Sequence, residues 1–379
     1  MPSGSPFELT FVFPCLNEQA TLGKCIQELR SSLDPSGVPY EIIVADNGST
    51  DNSREIAQNA GARVVPVKER GYGAALKGGI EAADSTYVMF ADADSTYMLE
   101  HAAELYRKAV ENKADMAIAS RMKGKIEDGA MPTLHRYLGT PVLTWLINRL
   151  FKGELSDCNS GFRCIRKSAY LQWDIRASGM EFASELLIKA LKAKASVVEI
   201  PSGLRPGPPD RVAHLRTWRD GMRHLLFILS ERPRLFEFSG AILLCLSTFL
   251  QLLAWMMGPT KIGPFNVFDV HSQTLLLLGG LAGAQFYLLS LYLYIHEREK
   301  PLALTRKLLN ADEGVLFFGL LCTFLADTIL VGFFVLLWAL QHFQGLGLVR
   351  ALVTMVHVLG LSGTLAIGLL GAHILKKSR

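Results

Sequence analysis

The chain has 379 residues, half of them hydrophobic, with 39 Lys and Arg against 35 Asp and Glu and a net charge of +4. That length exceeds one ordinary domain, and so even a balance of charge argues against a nucleic-acid partner. The charge is also unevenly spread. The first 235 residues carry 58 charged side chains, and the 144 from Phe236 onward carry 16. A boundary is therefore expected near Arg232 to Phe236, separating a polar domain, 1–233, from an apolar one, 234–379.

Residues 1–8 hold neither the basic nor the apolar region of a secretory leader, so none is expected. Cys15, Cys25, Cys158, Cys164, Cys245 and Cys322 include no Cys-x-x-Cys and no zinc spacing with His, which fits buried thiols in a reducing compartment.

Leu9–Phe13 reads as a buried strand, followed by Pro14-Cys15-Leu16-Asn17-Glu18 and a helix to about Ser31. The Gly-x-Gly-x-x-Gly of a dinucleotide site is absent from that turn. Tyr40–Ala45 is a second strand ending in Asp46-Asn47-Gly48-Ser49-Thr50-Asp51. A carboxylate at Asp46 either accepts hydrogen bonds from a base or ribose or serves the turn itself. Ala62–Val67 is a third strand, and the stretch Gly71–Gly79, which contains Gly73 and Lys77, opens a helix whose small residues would let backbone approach a phosphate.

The run Val88–Asp94 is the centre of the domain. An apolar strand ends in Asp92 and Asp94, which puts two acids at the carboxyl rim, where open α/β sheets bind ligands. Acids at i and i+2 of an extended segment face one way. One divalent cation and the phosphates of a nucleotide would satisfy them there. The repeated strand–helix order implies a mostly parallel sheet with right-handed crossovers.

The ordered set Pro14–Glu18, Asp46–Asp51, Gly71–Gly79, Asp92-Ala93-Asp94, Ser120-Arg121 and Asp157–Arg163 resembles family 2 glycosyltransferases of the GT-A fold. Within them it is most similar to the polyprenyl-phosphate hexosyl synthases, the dolichol-phosphate mannose synthase and undecaprenyl-phosphate glucosyltransferase group. The resemblance covers about residues 9–230. It implies a Rossmann-like, mostly parallel catalytic domain and an inverting transfer of one hexose from a UDP- or GDP-sugar to a polyprenyl phosphate. It further implies Mg²⁺ or Mn²⁺ on Asp92 and Asp94, and nucleotide-sugar contacts from Pro14, Asn17, Glu18, Asp46, Gly71, Gly73, Lys77 and Asp92.

An acceptor phosphate is already anionic, so it needs positive charge rather than a base. Arg121, Arg136, Arg163, Arg205 and Arg211 are the expected ligands, with Arg121 and Arg136 nearest the chemistry. The chain departs from the family at Thr96, where many relatives carry a Gln metal ligand, and at Asn47, which replaces a common second acid. It also lacks the Gln-x-x-Arg-Trp of processive synthases. One sugar per acceptor is expected.

Thr140-Pro141 starts a helix rich in Trp and Leu, and an interfacial segment is expected near 141–151. Another is expected at 215–230, where Leu215, Trp218, Met222, Leu225, Leu226 and Leu229 form one stripe and Arg216, Arg219 and Arg223 another. Ahead of it lies Pro201–His214, with four prolines and with Arg205 and Arg211, a connector or a flap.

Beyond Phe236, Phe238–Met257, Thr274–Ile295, Val315–Leu340 and Ala351–Ile374 are long enough to span a bilayer. Arg298, Lys300, Arg306 and Lys307 in the 296–310 loop, and Lys376, Lys377 and Arg379 in the tail, place these segments and the catalytic domain in the cytoplasm, at the plasma or inner membrane if the source is bacterial. A homo-oligomer is compatible with all of this.

Two rival readings remain. A lipid hydroxyl acceptor would need a carboxylate base, for which Glu181 and Glu185 are available. A membrane scaffold or flippase component would draw on Asp327, an acid inside the third span.

Overall fold

The computed structural model describes residues 6–208, 217–296, 299–340, 342 and 346–377. They fall into two compact units, Met1–Ile228 and Leu229–Arg379, which divide five residues before the expected boundary.

In the first unit the chain runs β1 (Leu9–Cys15), α1 (Leu22–Leu33), β2 (Tyr40–Asp46), α2 (Ser53–Asn59), β3 (Arg63–Pro66), α3 (Tyr72–Ala82), β4 (Tyr87–Phe90), α4 (Ala102–Glu111), β5 (Met116–Ser120) and α5 (Thr140–Phe151). It continues through β6 (Arg163–Arg166), α6 (Lys167–Tyr170), α7 (Phe182–Lys192) and β7 (Val197–Pro201), and α8 (Thr217–Ser230) carries it to the unit boundary. The seven strands form one sheet in the order β3-β2-β1-β4-β6-β5-β7.

The apolar run of β1 is buried on both faces because helices cover both. Leu9, Phe11 and Phe13 pack with Leu22, Ile26 and Leu29 of α1 on one side, and Val12 packs with Leu76 and Ile80 of α3 on the other. β1, β2, β3 and β4 pair in parallel, as the strand–helix order predicts. β6 was not expected, and it runs antiparallel between β4 and β5. The sheet is therefore mostly parallel with one reversed strand.

That reversal matters for the site. It carries the Asp157–Phe162 segment over the carboxyl end of β4 before the chain enters β6, where Arg163 lies opposite Phe90 and Ile118.

The second unit contains α9 (Pro233–Met257), a hairpin of β8 (Thr260–Ile262) and β9 (Phe265–Val267), α10 (Val270–His296), α11 (Ala303–Leu309), α12 (Glu313–Leu340) and α13 (Leu346–Lys377). Pro233–Met257, Val270–Ile295, Gly314–Leu340 and Leu348–Lys377 are long and apolar enough to cross a membrane, and they cover the four expected spans. α10 packs on α9 and α13, whereas α12 rests on α13 and leaves Val315, Phe318, Ile329 and Phe333 exposed. An exposed apolar face of this size fits a hydrocarbon solvent.

Candidate active site

The carboxyl rim of the sheet is set by register. Cys15 at the end of β1 lies opposite Asp46 at the end of β2, and Val12 lies opposite Phe90. Asp92 and Asp94 follow two and four residues beyond Phe90, so Asp46 and the acid pair share one edge.

Asp94 is almost wholly buried, and its Oδ1 accepts the Thr96 N–H at 2.9 Å and the Thr96 hydroxyl at 2.6 Å. The residue that stands where relatives carry Gln thus aims the carboxylate. Asp92 meets two phenols, the half-buried Tyr72 and the buried Tyr97. Tyr72 is hydrogen-bonded to it. The Tyr97 hydroxyl accepts the Gly161 N–H at 2.6 Å, and a Cβ at Gly161 would stand 3.0 Å from the Tyr97 hydroxyl, 3.3 Å from Asp92 Oδ2 and 3.4 Å from the Tyr72 hydroxyl. Burial, reinforced by the charge of Asp92, pushes both phenols above their ordinary pKa, so they stay protonated.

Among the described residues no group of three or more His, Cys, Asp and Glu stands close enough to cage a metal. Two hard carboxylates without a third protein ligand suit Mg²⁺ or Mn²⁺, which completes its shell with water and phosphate oxygens.

The expected phosphate-binding arginines separate sharply. Arg121 is nearly buried and makes a bidentate pair with Asp157, from Nε to Oδ2 at 2.7 Å and from Nη2 to Oδ1 at 2.8 Å. Burial alone would raise the Asp157 pKa, but the Arg121 charge outweighs it and holds the acid below the ordinary carboxylate range.

Arg163 departs from expectation. It is fully buried and donates to the carbonyls of Cys158, Ser160 and Ala183, each at 2.8 Å, so it shapes the 158–163 turn and offers nothing to a ligand. Arg205 departs likewise. It pairs with Glu28 and donates to the carbonyls of Ser95 and Tyr97 at 3.0 Å, clamping the loop after the acid pair. Arg211 lies outside the described residues.

Arg136 sits in a π-helical turn, His135–Gly139, over the Tyr137 ring at 5.4 Å. The neighbouring His135 is pushed below its ordinary pKa by burial and by the charge of Arg121. Leu134, Tyr137, Leu138, Val142 and Trp145 are all exposed here, while Leu143, Ile147 and Phe151 of α5 enter the core.

On the nucleotide side, Asp46 is closed into its own turn. It accepts the N–H groups of Gly48 and Ser49 and pairs with Arg54 at 2.6 Å. Burial would raise its pKa, but the bonds from Ser49 and Arg54 hold it low. Asp46 here serves its own turn. Asn47 bonds Glu69 O at 2.6 Å and accepts the Gly71 N–H at 2.8 Å, pinning the 67–71 loop.

The glycine-rich stretch departs from expectation most clearly. At Gly71, with φ +133°, a Cβ would stand 2.1 Å from Ser178 O, and at Gly73 one would stand 2.6 Å from Ala177 O. The Ala74 N–H, in the first turn of α3, donates to Ser178 O. The protein's own 177–179 backbone occupies the approach expected for a phosphate, and Lys77 reaches Arg176 O at 3.3 Å. Pro14 is the penultimate residue of β1, and Asn17, also at positive φ, accepts the Thr50 N–H at 2.8 Å. The Glu18 carboxylate accepts the Thr21 hydroxyl at 3.1 Å.

Glu185, a candidate base, is committed elsewhere: it accepts the N–H groups of Arg176 and Ala177 and pairs with Lys189 at 2.6 Å. Glu181 is half-buried at the start of α7. Tyr72, Tyr97 and Asp157 were not expected as part of the site. Asp157 and Tyr72 lie within the Asp157–Arg163 and Gly71–Gly79 motifs, whereas Tyr97 carried no signal.

A mostly parallel α/β sheet with an acid pair beyond its central strand is the architecture of the GT-A fold. Residues 10–173 match the model of glycosyl transferase family 2, and this domain of the chain belongs to that family. The low-salt glycan biosynthesis hexosyltransferase Agl6 of Haloferax volcanii is 34% identical over 273 residues, 72% of this chain and 65% of its own length. Glycosyltransferase AglJ of the same organism is 26% identical over 218 residues, 57% of this chain and 69% of its own. The chain thus spans about two thirds of the length of these two relatives. A solved mycobacterial protein superposes with a TM-score of 0.50 at 22% identity, over 59% of this chain and 74% of that one, a likeness of fold.

Proposed function

We propose that the chain transfers one hexose, with inversion, from a nucleotide diphosphate sugar to a polyprenyl phosphate at the cytoplasmic face of a membrane. The observation that carries this reading is the juxtaposition, in one chain, of the Asp92–Asp94 rim in a family 2 domain with four helices long enough to cross a bilayer. Asp92 and Asp94 would hold Mg²⁺ or Mn²⁺, which when bound neutralises charge on the departing nucleoside diphosphate. Thr96 fixes the Asp94 carboxylate, and the protonated phenol of Tyr72 holds Asp92. The protein's contribution is orientation before the reaction begins.

An acceptor phosphate monoester needs no base, and Glu185 has no free oxygen to act as one. It needs cationic neighbours, of which Arg136 and the outer edge of Arg121 are the best placed. The exposed apolar residues around Arg136 support a position at the lipid surface, where the phosphate of a membrane-borne acceptor resides. The charge of the 296–310 loop supports the cytoplasmic orientation.

The test is to incubate the purified full-length protein with a panel of nucleotide sugars and polyprenyl phosphate, with and without excess chelator. A product cleaved by mild acid, formed only without chelator, supports the proposal. An acid-stable glycoside overturns the phosphate acceptor.

A further inference from the structure

The membrane unit buries a second polar cluster, far in sequence from the rim acids. On α13, Arg350, Thr354 and His357 recur at i, i+4 and i+7, forming one stripe about 10 Å long. Gln251 and Thr248 of α9 and Gln273 of α10 face it. Gln251 donates to Thr354 Oγ1 at 3.2 Å and to Gln273 Oε1 at 3.5 Å, and Thr248 Oγ1 lies 3.2 Å from His357 Nε2. Gln251, Gln273 and His357 are fully buried.

Helix association alone would account for these bonds. It does not account for what they leave over. Gln251 Oε1, His357 Nδ1 and Arg350 Nη1 are all buried without a hydrogen-bond partner among the described residues. No described acid pairs with Arg350, whose guanidinium stands over Gly258 at the end of α9. A guanidinium nitrogen, a ring nitrogen and an amide oxygen that are buried and left unpaired are each costly, and a bound group with complementary atoms removes the cost.

The cluster lies where α9 ends and α10 and α13 begin, so it occupies the end of the bundle opposite the 296–310 loop. We propose that it binds the head group of a lipid carrying a phosphate ester and hydroxyl groups. Arg350 Nη1 donates to the phosphate. When Thr248 donates its hydroxyl to His357 Nε2, the Nδ1–H becomes a second donor to the phosphate. Gln251 Oε1 accepts from a head-group hydroxyl. The site lies in the leaflet away from the basic loop, and the proposal stands whether or not the acceptor is a polyprenyl phosphate.

Native mass spectrometry of the detergent-solubilised full-length protein tests this, with phosphatidylglycerol as probe and phosphatidylcholine, diacylglycerol and inorganic phosphate as comparators. Phosphatidylglycerol should be retained in preference to the other lipids, and millimolar inorganic phosphate should not displace it. Arg350→Gln should reduce retention about tenfold, the equivalent of one charge-assisted hydrogen bond. Gln251→Leu, which keeps the volume and removes the acceptor, should abolish the preference for phosphatidylglycerol over phosphatidylcholine. Equal retention of diacylglycerol, displacement by inorganic phosphate, or a Gln251→Leu protein that changes only in melting temperature would each overturn the proposal.

Discussion

The acid rim beyond β4 and the glycine-rich turn before α3 carry the same promise in the sequence, since both combine small and polar residues at the carboxyl edge of a parallel sheet. Their structures are opposite. At the rim, Thr96, Tyr72 and Gly161 surround Asp92 and Asp94 with groups that orient the carboxylates. At the turn, Gly71 and Gly73 are filled by the 177–179 backbone. Small residues report that something comes close, and only the fold says whether it is a ligand or the protein itself.

The sharpest way to break this contrast is at the rim. Asp92→Asn and Asp94→Asn should each cut transfer by on the order of 10³-fold or more, because shape is kept while the charge that would hold the cation is lost. A melting temperature near wild type, read alongside turnover, separates this loss from misfolding. Either variant retaining wild-type turnover would remove the distinction between the two regions.

Next in size is the support beneath the rim. Asp157→Ala leaves the Arg121 guanidinium nearly buried and unpaired, at a cost of about 3–5 kcal/mol, visible in denaturant unfolding. The pH dependence has a definite sign. The folded pKa of Asp157 lies below its unfolded value, so its stabilisation is present above the unfolded pKa of about 3.9 and is lost as pH falls through the folded value. Below about pH 4 the wild type should therefore lose the advantage it holds over Asp157→Asn at neutral pH.

The turn answers to stability rather than to ligand. Gly73→Ala should destabilise by about 1–3 kcal/mol through collision with Ala177 O and the Phe182 Cβ, whatever nucleotide is present. A variant that melts like wild type but shows a raised KM for the donor would reassign the glycines to phosphate binding. The smallest effect is expected at Glu181→Gln, with a rate within about tenfold of wild type, because a phosphate acceptor needs no base. A loss of 10² or more there would favour a hydroxyl acceptor.

Much of the fold was legible because β1, β2, β4 and β7 are short apolar runs bounded by turn residues, and the four long helices are apolar over lengths that suffice to cross a bilayer. β5 and β6 escaped. Met116–Ser120 is small and brief, and Arg163–Arg166 begins and ends with arginine, so neither carries a strand's alternation. The rim acids were legible as a pair. The fate of the arginines was not, since residue type gives charge and says nothing of partners. Arg163 is bound by two carbonyls of its own turn and by that of Ala183, and Arg205 by carbonyls 108 and 110 positions away.

The sequence by itself determined the division of the chain, the mostly parallel sheet and the position of Asp92 and Asp94. Each follows from local composition or from spacing along one segment. Which charges stay available for chemistry was decided by tertiary structure. That outcome depends on contacts between residues 36 positions apart, as for Arg121 and Asp157, or 103 apart, as for Gln251 and Thr354. A buried charge must find a partner somewhere in the fold, and the partner's address is written in the topology rather than in the neighbouring residues.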